Sequence, residues 1–426
     1  MLKFTDNNEV IDTLKYSAII VGVQTREDIT YSMDELKGLA EAAGAEVTGR
    51  MVQVMERPDR ATMIGSGKTL ELAEMVKNME ADVVIFNDEL AGMQIRNLEE
   101  ATGVRVIDRT ILILDIFAAR ADSKEGRLQV ELAQLRYRLP RLTGFGKSLS
   151  RTGAGIGTRG PGEKKLETDR RHIERRIDDI RRELAKSETA RATQRSKREK
   201  NEIPVVALAG YTNSGKSAIM NRLLSLSGKE EKSVKEQDML FATLDAAHRK
   251  VEVEPGREFV LIDTVGFVSK LPHGLVEAFK STLEEVAGAD LILHVIDSSF
   301  EDNDSQKKVT EDVLRSIGAS AVERVIVYNK IDRLGSMPPA KAGDNTVFVS
   351  AKENINMDVL VEVVLEKLYG RKVKTTLVIP YDKGGIVSYL CENARVISTD
   401  YGEKGTVLEL EMNEKDYRRL AEYEAL

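Results

Sequence analysis

The sequence predicts an α/β protein assembled from several domains, and three observations carry that prediction. Short β-branched runs alternate with segments of helical periodicity over two long stretches of the chain. A glycine-rich octapeptide, GYTNSGKS, stands between an apolar run and an amphipathic one. Between the two α/β stretches lie two heptad-spaced segments, parted by an interval rich in glycine and free of acidic residues.

The first stretch falls within residues 1–119 and reads YSAIIVGV, MDELKGLAEAAG, VTGRMVQVM, ADVVIFND, NLEEATG and VRVID. Strand-like and helix-like pieces in turn imply an N-terminal α/β domain with a largely parallel sheet. In residues 120–200 the apolar positions are Leu128, Leu132, Leu135 and Leu139, then Leu166, Ile173, Ile177, Ile180 and Leu184. Two such stripes satisfy each other as an antiparallel helical pair, with Pro140 expected to close the first helix. The interval 143–162 holds seven glycines and three basic residues, a composition incompatible with regular structure. Residues 201–370 open on a buried-strand run, Ile203 to Ala209, and alternate strands with helices again. Residues 371–426 read as a strand (Thr376 to Pro380), a helix, a strand (Ala394 to Thr399), a turn at Tyr401, Gly402 and Glu403, a strand (Thr406 to Met412) and a helix. That is a small C-terminal α+β domain. No repeat of solenoid length is present.

Composition narrows the function classes. The 426 residues carry 63 Lys/Arg, 70 Asp/Glu, one cysteine and four histidines. Cys391 has no internal partner and the histidines form no zinc-ligand spacing, so a disulfide scaffold and a structural zinc centre are excluded. The N-terminus is too polar for a signal peptide, and no apolar run approaches the roughly 18 residues of a spanning helix. The expected compartment is the cytoplasm, with no membrane association. Residues 120–200 hold 23 basic against 12 acidic side chains, +11, which leaves −18 for the remainder of a chain whose net charge is −7. A cationic stripe on an acidic protein suits a polyanionic partner, and equally a solvated helix pair laced by i,i+4 ion pairs.

The octapeptide is the strongest signal. Gly210, Tyr211, Thr212, Asn213, Ser214, Gly215, Lys216 and Ser217 match the phosphate-loop pattern in the strand-then-helix context it requires. Backbone N–H groups converge on phosphate oxygens at a helix N-terminus, Lys216 reaches the terminal phosphates, and the Ser217 hydroxyl is a Mg²⁺ ligand. A second anchor for the metal is expected at Asp263, which ends the run FVLI and is followed by Thr264, Val265 and Gly266. Asp263 holds Mg²⁺ through water and the Gly266 N–H senses a γ-phosphate. Between these motifs lies a threonine, Thr243, in the segment Phe241, Ala242, Thr243, Leu244, Asp245, the candidate switch hydroxyl on the metal. Lys216, Thr243 and Gly266 are therefore the expected catalytic set.

The base is guanine. The run VIVY leads into Asn329, Lys330, Ile331 and Asp332, at the strand end where ligands of parallel sheets bind. A carboxylate at Asp332 accepts from both the ring N–H and the exocyclic amine of guanine, a donor pair adenine lacks. Asn329 braces the loops and the Lys330 stem covers the base face. The strand TVFVS runs into Ser350, Ala351 and Lys352, where a backbone N–H can meet the guanine O6. This is a P-loop NTPase G domain that binds GTP and GDP.

The order GYTNSGKS, Thr243, DTVG, NKID, SAK is that of GTP-binding proteins, and longer segments are more specific: ATMIGSGK, GIGTRGPGEKKLETDRR, LFATLD and DTVGFVSKLPHGLVEAFKSTLEE. Across nearly its whole length the chain resembles HflX, a family of ribosome-associated GTPases of the translation-factor-like TRAFAC class. The resemblance implies binding to the large ribosomal subunit and its rRNA near the peptidyl-transferase region, and action in splitting stalled ribosomes or in subunit biogenesis. It also turns the glycine-rich interval, with Lys147, Arg151 and Arg159, from a tether or polyanion contact of equal merit toward an rRNA contact. With only Tyr137 and Phe145 to stack on bases, shape and phosphate recognition should dominate there.

Two departures matter. Small GTPases usually place a water-orienting glutamine after D-x-x-G, and here Phe267 stands in its place, so the isolated protein should hydrolyse GTP slowly. Asn213 matches the position at which GTPases of this broad class bind K⁺ beside the phosphates. The segment ATMIGSGKT lacks the leading glycine of a second phosphate loop and reads as a turn capping a helix, with Gly65, Gly67 and Lys68 as the alternative contacts for RNA or ATP. The rival to an enzyme is a non-enzymatic rRNA-binding scaffold with GTP as a structural ligand. Monomer is the expected state, because the two helical segments cover each other.

Overall fold

The computed structural model describes residues 16–142, 161–200, 203–226, 241, 247–254, 257–264, 266–270, 280–370 and 372–425, with the backbone alone at 142, 161–166, 188–200, 280–282, 372 and 415. They form two compact units, one lying before Glu188 and one after.

The first unit opens on β1 (Tyr16–Gln24), α1 (Thr30–Ala42), β2 (Ala45–Val54), α2 (Ser66–Asn78), β3 (Val83–Phe86), α3 (Gly92–Thr102), β4 (Arg105–Asp108) and α4 (Arg109–Arg120). The sheet order is β2-β1-β3-β4 and every pairing is parallel. The apolar run of β1 is continuous because helices cover both faces of an interior parallel strand, which buries Ala18 through Val23. Ile19, Val21, Leu72, Val84, Phe86 and Leu98 fill the core. At the ends of β3 and β4 a buried Arg109–Glu35 ion pair is completed by Asn87, whose side-chain oxygen accepts from Arg109 at 3.0 Å.

Two helices follow, α5 (Lys124–Leu142) and α6 (Pro161–Lys200). The seam is Leu128, Leu132, Ile177 and Ile180, flanked by Leu135, Leu139, Ile173 and Leu184, as the heptad spacing predicts. The ion pairs Lys124–Glu183 and Glu131–Arg176 advance along α5 while receding along α6, which fixes the helices as antiparallel. Pro140 does not close α5 but sits inside its last turn. A proline there forfeits one N–H, and Arg141 secures the turn by donating to Tyr137 O (3.0 Å) and Leu90 O (3.2 Å) and by stacking 3.3 Å from the Tyr137 ring centroid.

The second unit contains β5 (Val205–Gly210), α7 (Lys216–Leu226), β6 (Ala247–Glu254), β7 (Arg257–Asp263), α8 (Lys280–Ala287), β8 (Leu291–Asp297), α9 (Asn303–Ser316), β9 (Glu323–Asn329), β10 (Thr346–Phe348) and α10 (Met357–Tyr369). These strands form one sheet in the order β10-β9-β8-β5-β7-β6, parallel except for β6. The order reverses on either side of β5, and the phosphate-loop segment, Asp263, Asp297 and Asn329 all arrive at the same sheet edge, the carboxyl ends of β5, β7, β8 and β9.

His294 is buried at the centre of this sheet, in β8, and among the described residues its Nε2 has no hydrogen-bond partner. Burial pushes its pKa from 6.5 to about 4, with Lys307, Arg324 and Lys216 adding to the effect. Above pH 6.5 the group is neutral in folded and unfolded chains alike; between 6.5 and 4 the unfolded chain takes up the proton and the folded one resists it. Stability is therefore lost as pH falls through that window. Urea unfolding at pH 7.5 and 5.0 should show a loss about 2 kcal/mol larger for the wild type than for His294→Gln. Equal losses would mean that the imidazole does not feel its burial.

The remaining elements are β11 (Lys372–Ile379), α11 (Gly384–Asn393), β12 (Arg395–Gly402), β13 (Gly405–Asn413) and α12 (Glu414–Leu420). Three antiparallel strands in the order β11-β13-β12 pack Leu377, Ile379, Leu408, Leu410 and Met412 against Leu390. The turn expected at Tyr401 to Glu403 lies later: Tyr401 and Gly402 pair with Thr406 and Gly405, leaving Glu403 and Lys404 as a two-residue hairpin turn. Among the described residues no helix is long and apolar enough to cross a membrane.

Candidate nucleotide site

Gly210 ends β5 and Lys216 begins α7, so the amides of the intervening loop gather at a helix N-terminus. Gly215 is there for want of space. Its φ is +92°, and a Cβ would fall 2.1 Å from Asn329 Nδ2. Asn329 braces three segments, donating to Ser214 O at 2.9 Å, accepting from Ala351 N at 3.1 Å and ending β9 itself. The Lys216 ammonium donates to Gly210 O (3.1 Å) and Tyr211 O (2.8 Å). Burial lowers its pKa to about 8, against the stabilising pull of Asp263. Among the described residues the buried Thr212 and Ser214 hydroxyls have no hydrogen-bond partner, and Asn213 is exposed with φ +59°.

Ser217 Oγ donates to Asp263 Oδ2 at 2.7 Å, and Asp263 is fully buried. A hydroxyl and a carboxylate held this close at a helix N-terminus are hard oxygen donors suited to Mg²⁺. Thr264 faces elsewhere, its hydroxyl donating to Leu208 O at 2.6 Å. Gly266 lies against the loop: a Cβ on it would meet Thr212 Cα at 2.7 Å and Lys216 Nζ at 3.0 Å. Phe267 is buried, and its backbone extends the sheet onto the phosphate loop, accepting from Thr212 N (2.7 Å) and donating to Gly210 O (3.1 Å). The Tyr211 hydroxyl accepts from Ser269 N at 2.7 Å, a third tie between the segments.

On the base side, Lys330 takes a left-handed conformation, and its ammonium lies 2.7 Å from Asp297 Oδ2. Asp332 is exposed, and its Oδ1 accepts from Ser350 Oγ at 2.6 Å; Ile331 and Ser350 are buried. Of the three amides at Ser350 to Lys352, those of Ser350 and Ala351 are taken by Ile355 O and Asn329 Oδ1, both at 3.1 Å. Among the described residues the Lys352 N–H has no partner. Nothing in the sequence marks Asp297, or Arg222 on α7, which donates to Ala351 O and Lys352 O, both at 3.1 Å. Thr243 with its neighbours Ala242, Leu244 and Asp245, and Val265, Lys147, Arg151 and Arg159, lie outside the described residues; Phe241 is buried with φ +58°.

A protein from Caldanaerobacter subterraneus subsp. tengcongensis named GTPase HflX is 50% identical over 409 residues, covering 96% of this chain and 94% of the relative. The chain belongs to the HflX family of GTPases. The Escherichia coli K12 GTPase HflX is 40% identical over 414 residues, with 96% of each chain covered. Family models match consecutively: GTP-binding GTPase N-terminal at residues 30–118, GTP-binding GTPase Middle Region at 120–198, 50S ribosome-binding GTPase at 205–330 and HflX C-terminal domain at 337–423. A solved GTP-binding protein from Sulfolobus solfataricus in complex with GDP covers 83% of this chain and 99% of its own at 23% identity, with a TM-score of 0.44. As an HflX GTPase of the P-loop class the chain binds GTP, and the class uses Mg²⁺.

Two other sequence features can now be placed. Gly65 caps α2 and its N–H donates to Gln53 Oε1 at 2.9 Å, while Lys68 pairs with Glu71 at 2.7 Å, so this HflX segment is a helix-capping turn whose lysine is engaged. In the helical pair Lys124, Arg170, Arg171, Arg176, Arg181 and Arg182 each meet a carboxylate, the arrangement of a salt-laced helix face.

Proposed function

We propose that this chain hydrolyses GTP to GDP and phosphate, slowly by itself and faster on the large ribosomal subunit, and acts in ribosome splitting, rescue or biogenesis. The observation that carries the proposal is the assembly of Lys216, Ser217, Asp263 and Gly266 around one loop, in a segment that matches a model of 50S ribosome-binding GTPases. Lys216 is already turned into the loop and neutralises the terminal phosphates. Ser217 and Asp263, the second through water, hold Mg²⁺ with the switch hydroxyl of Thr243. Held by these residues, Mg²⁺ would supply positive charge against the phosphates. The Gly266 N–H takes the γ-phosphate, and with Thr243 it makes the triphosphate state the one that orders the switches and favours ribosome binding. Asp332 accepts from guanine, Lys330 covers the base, and Lys147, Arg151 and Arg159 contact rRNA phosphates.

A buried Phe267 cannot orient the attacking water, which is why a group on the ribosome, or one ordered by it, supports hydrolysis. An exposed, left-handed Asn213 at the lip of the loop suits a K⁺ beside the phosphates. Multiple-turnover GTP hydrolysis with and without large subunits, in K⁺ or Na⁺ at equal ionic strength, tests both parts. The expected result is stimulation of about a hundredfold or more by subunits and a higher rate in K⁺. A rate indifferent to subunits would remove the ribosomal element, and a rate indifferent to the cation would remove the role of Asn213.

A further inference from the structure

Resting on the guanine-nucleotide reading above, we propose that Arg222 is a positioning residue for base recognition, aiming the Lys352 N–H at the guanine O6. A trans peptide unit points its N–H and its C=O in opposite directions. Ala351 C=O and Lys352 N–H belong to the same unit, so fixing the carbonyl fixes the direction of the amide. Arg222 fixes it from α7, donating Nε to Ala351 O and Nη2 to Lys352 O, each at 3.1 Å, so that two successive peptide planes are set by one rigid fork.

The remaining polar groups of the loop show why this matters. The Ala351 N–H, the other candidate for O6, is spent on Asn329 Oδ1, and Ser350 N–H on Ile355 O. Ser350 Oγ accepts from Glu353 N and donates to Asp332, which ties the serine to the opposite edge of the base. The Lys352 side chain is exposed and reaches Glu353, so it does not anchor its own backbone. Arg222 is thus the side chain that holds the Ala351 carbonyl. Because α7 starts at Lys216, the same helix presents its N-terminus to the phosphates and its Arg222 to the base loop. Distance between the two ends of the nucleotide is set by one rigid element.

The test uses the full-length chain, its Arg222→Ala variant and GDP analogues that differ at one edge. GDP in which sulfur replaces O6 keeps both donors for Asp332 and weakens only the acceptor facing Lys352. IDP keeps O6 and lacks the exocyclic amine. Wild type should prefer GDP to both analogues. In Arg222→Ala, GDP affinity should fall about tenfold, the preference over the sulfur analogue should shrink toward unity, and the preference over IDP should remain. Arg222→Lys keeps charge and stem, yet a single ammonium cannot reproduce the fork, so it should behave as an intermediate; it also serves if the alanine variant fails to fold. A parallel loss for all three nucleotides, or no loss, would overturn the role of Arg222. Absence of GDP binding by the wild type would instead sink the guanine site itself.

Discussion

Asp332→Asn should cost the protein about a thousandfold in affinity for GTP and transfer binding to xanthosine triphosphate. The carboxylate is held at one oxygen by Ser350 Oγ at 2.6 Å while the residue stays exposed. An asparagine can keep that bond through its amide oxygen, but its NH₂ then faces the donors of guanine, and two sets of donors meet with no acceptor between them. Xanthine carries a carbonyl where guanine has its amine, and restores the match. Competition binding with GDP and XDP reads the exchange directly. Unchanged GDP affinity would show that the base is recognised elsewhere.

The second large effect is expected at Gly266. A Cβ there would stand 2.7 Å from both Thr212 Cα and Cγ2 and 3.0 Å from Lys216 Nζ, contacts that real Cβ atoms do not make with backbone. Gly266→Ala must lift the segment off the phosphate loop, and with it the N–H proposed to meet the γ-phosphate. GDP has no γ-phosphate. Hydrolysis should therefore drop about a hundredfold while GDP affinity stays within a few-fold of wild type. Equal loss of GDP binding would mean that the substitution damages the loop rather than the sensing of the triphosphate.

The parts of the candidate site legible in the sequence are those carried by short motifs with fixed internal spacing: Gly215, Lys216 and Ser217 in one segment, Asp263 and Gly266 in a second, and Asn329 and Asp332 in a third, each placed next to a strand end of the same sheet edge. Arg222 and Asp297 escaped because they act on main-chain carbonyls and on a lysine far away in the chain, and such bonds leave no spacing to detect. The fold was legible where periodicity was long, as in β1 or the seam of α5 and α6. It was misread where a tertiary bond decided the boundary. Pro140 stays helical because Arg141 fastens the final turn, and the hairpin of β12 and β13 turns at Glu403 and Lys404 because Tyr401 and Gly402 are still paired.

The ion pairs along α5 and α6 also bear on how the protein would respond to salt. Binding to a polyanion is driven by the counterions that each newly neutralised phosphate sets free, and a cation already facing a carboxylate has little to release. Lys124, Arg170, Arg171, Arg176, Arg181 and Arg182 are so engaged. The slope of log affinity against log salt should then count only the cations outside that zipper. With six of the 23 basic residues in this part of the chain so engaged, binding to a polyanion through it should weaken with ionic strength less steeply than the full count of charges implies.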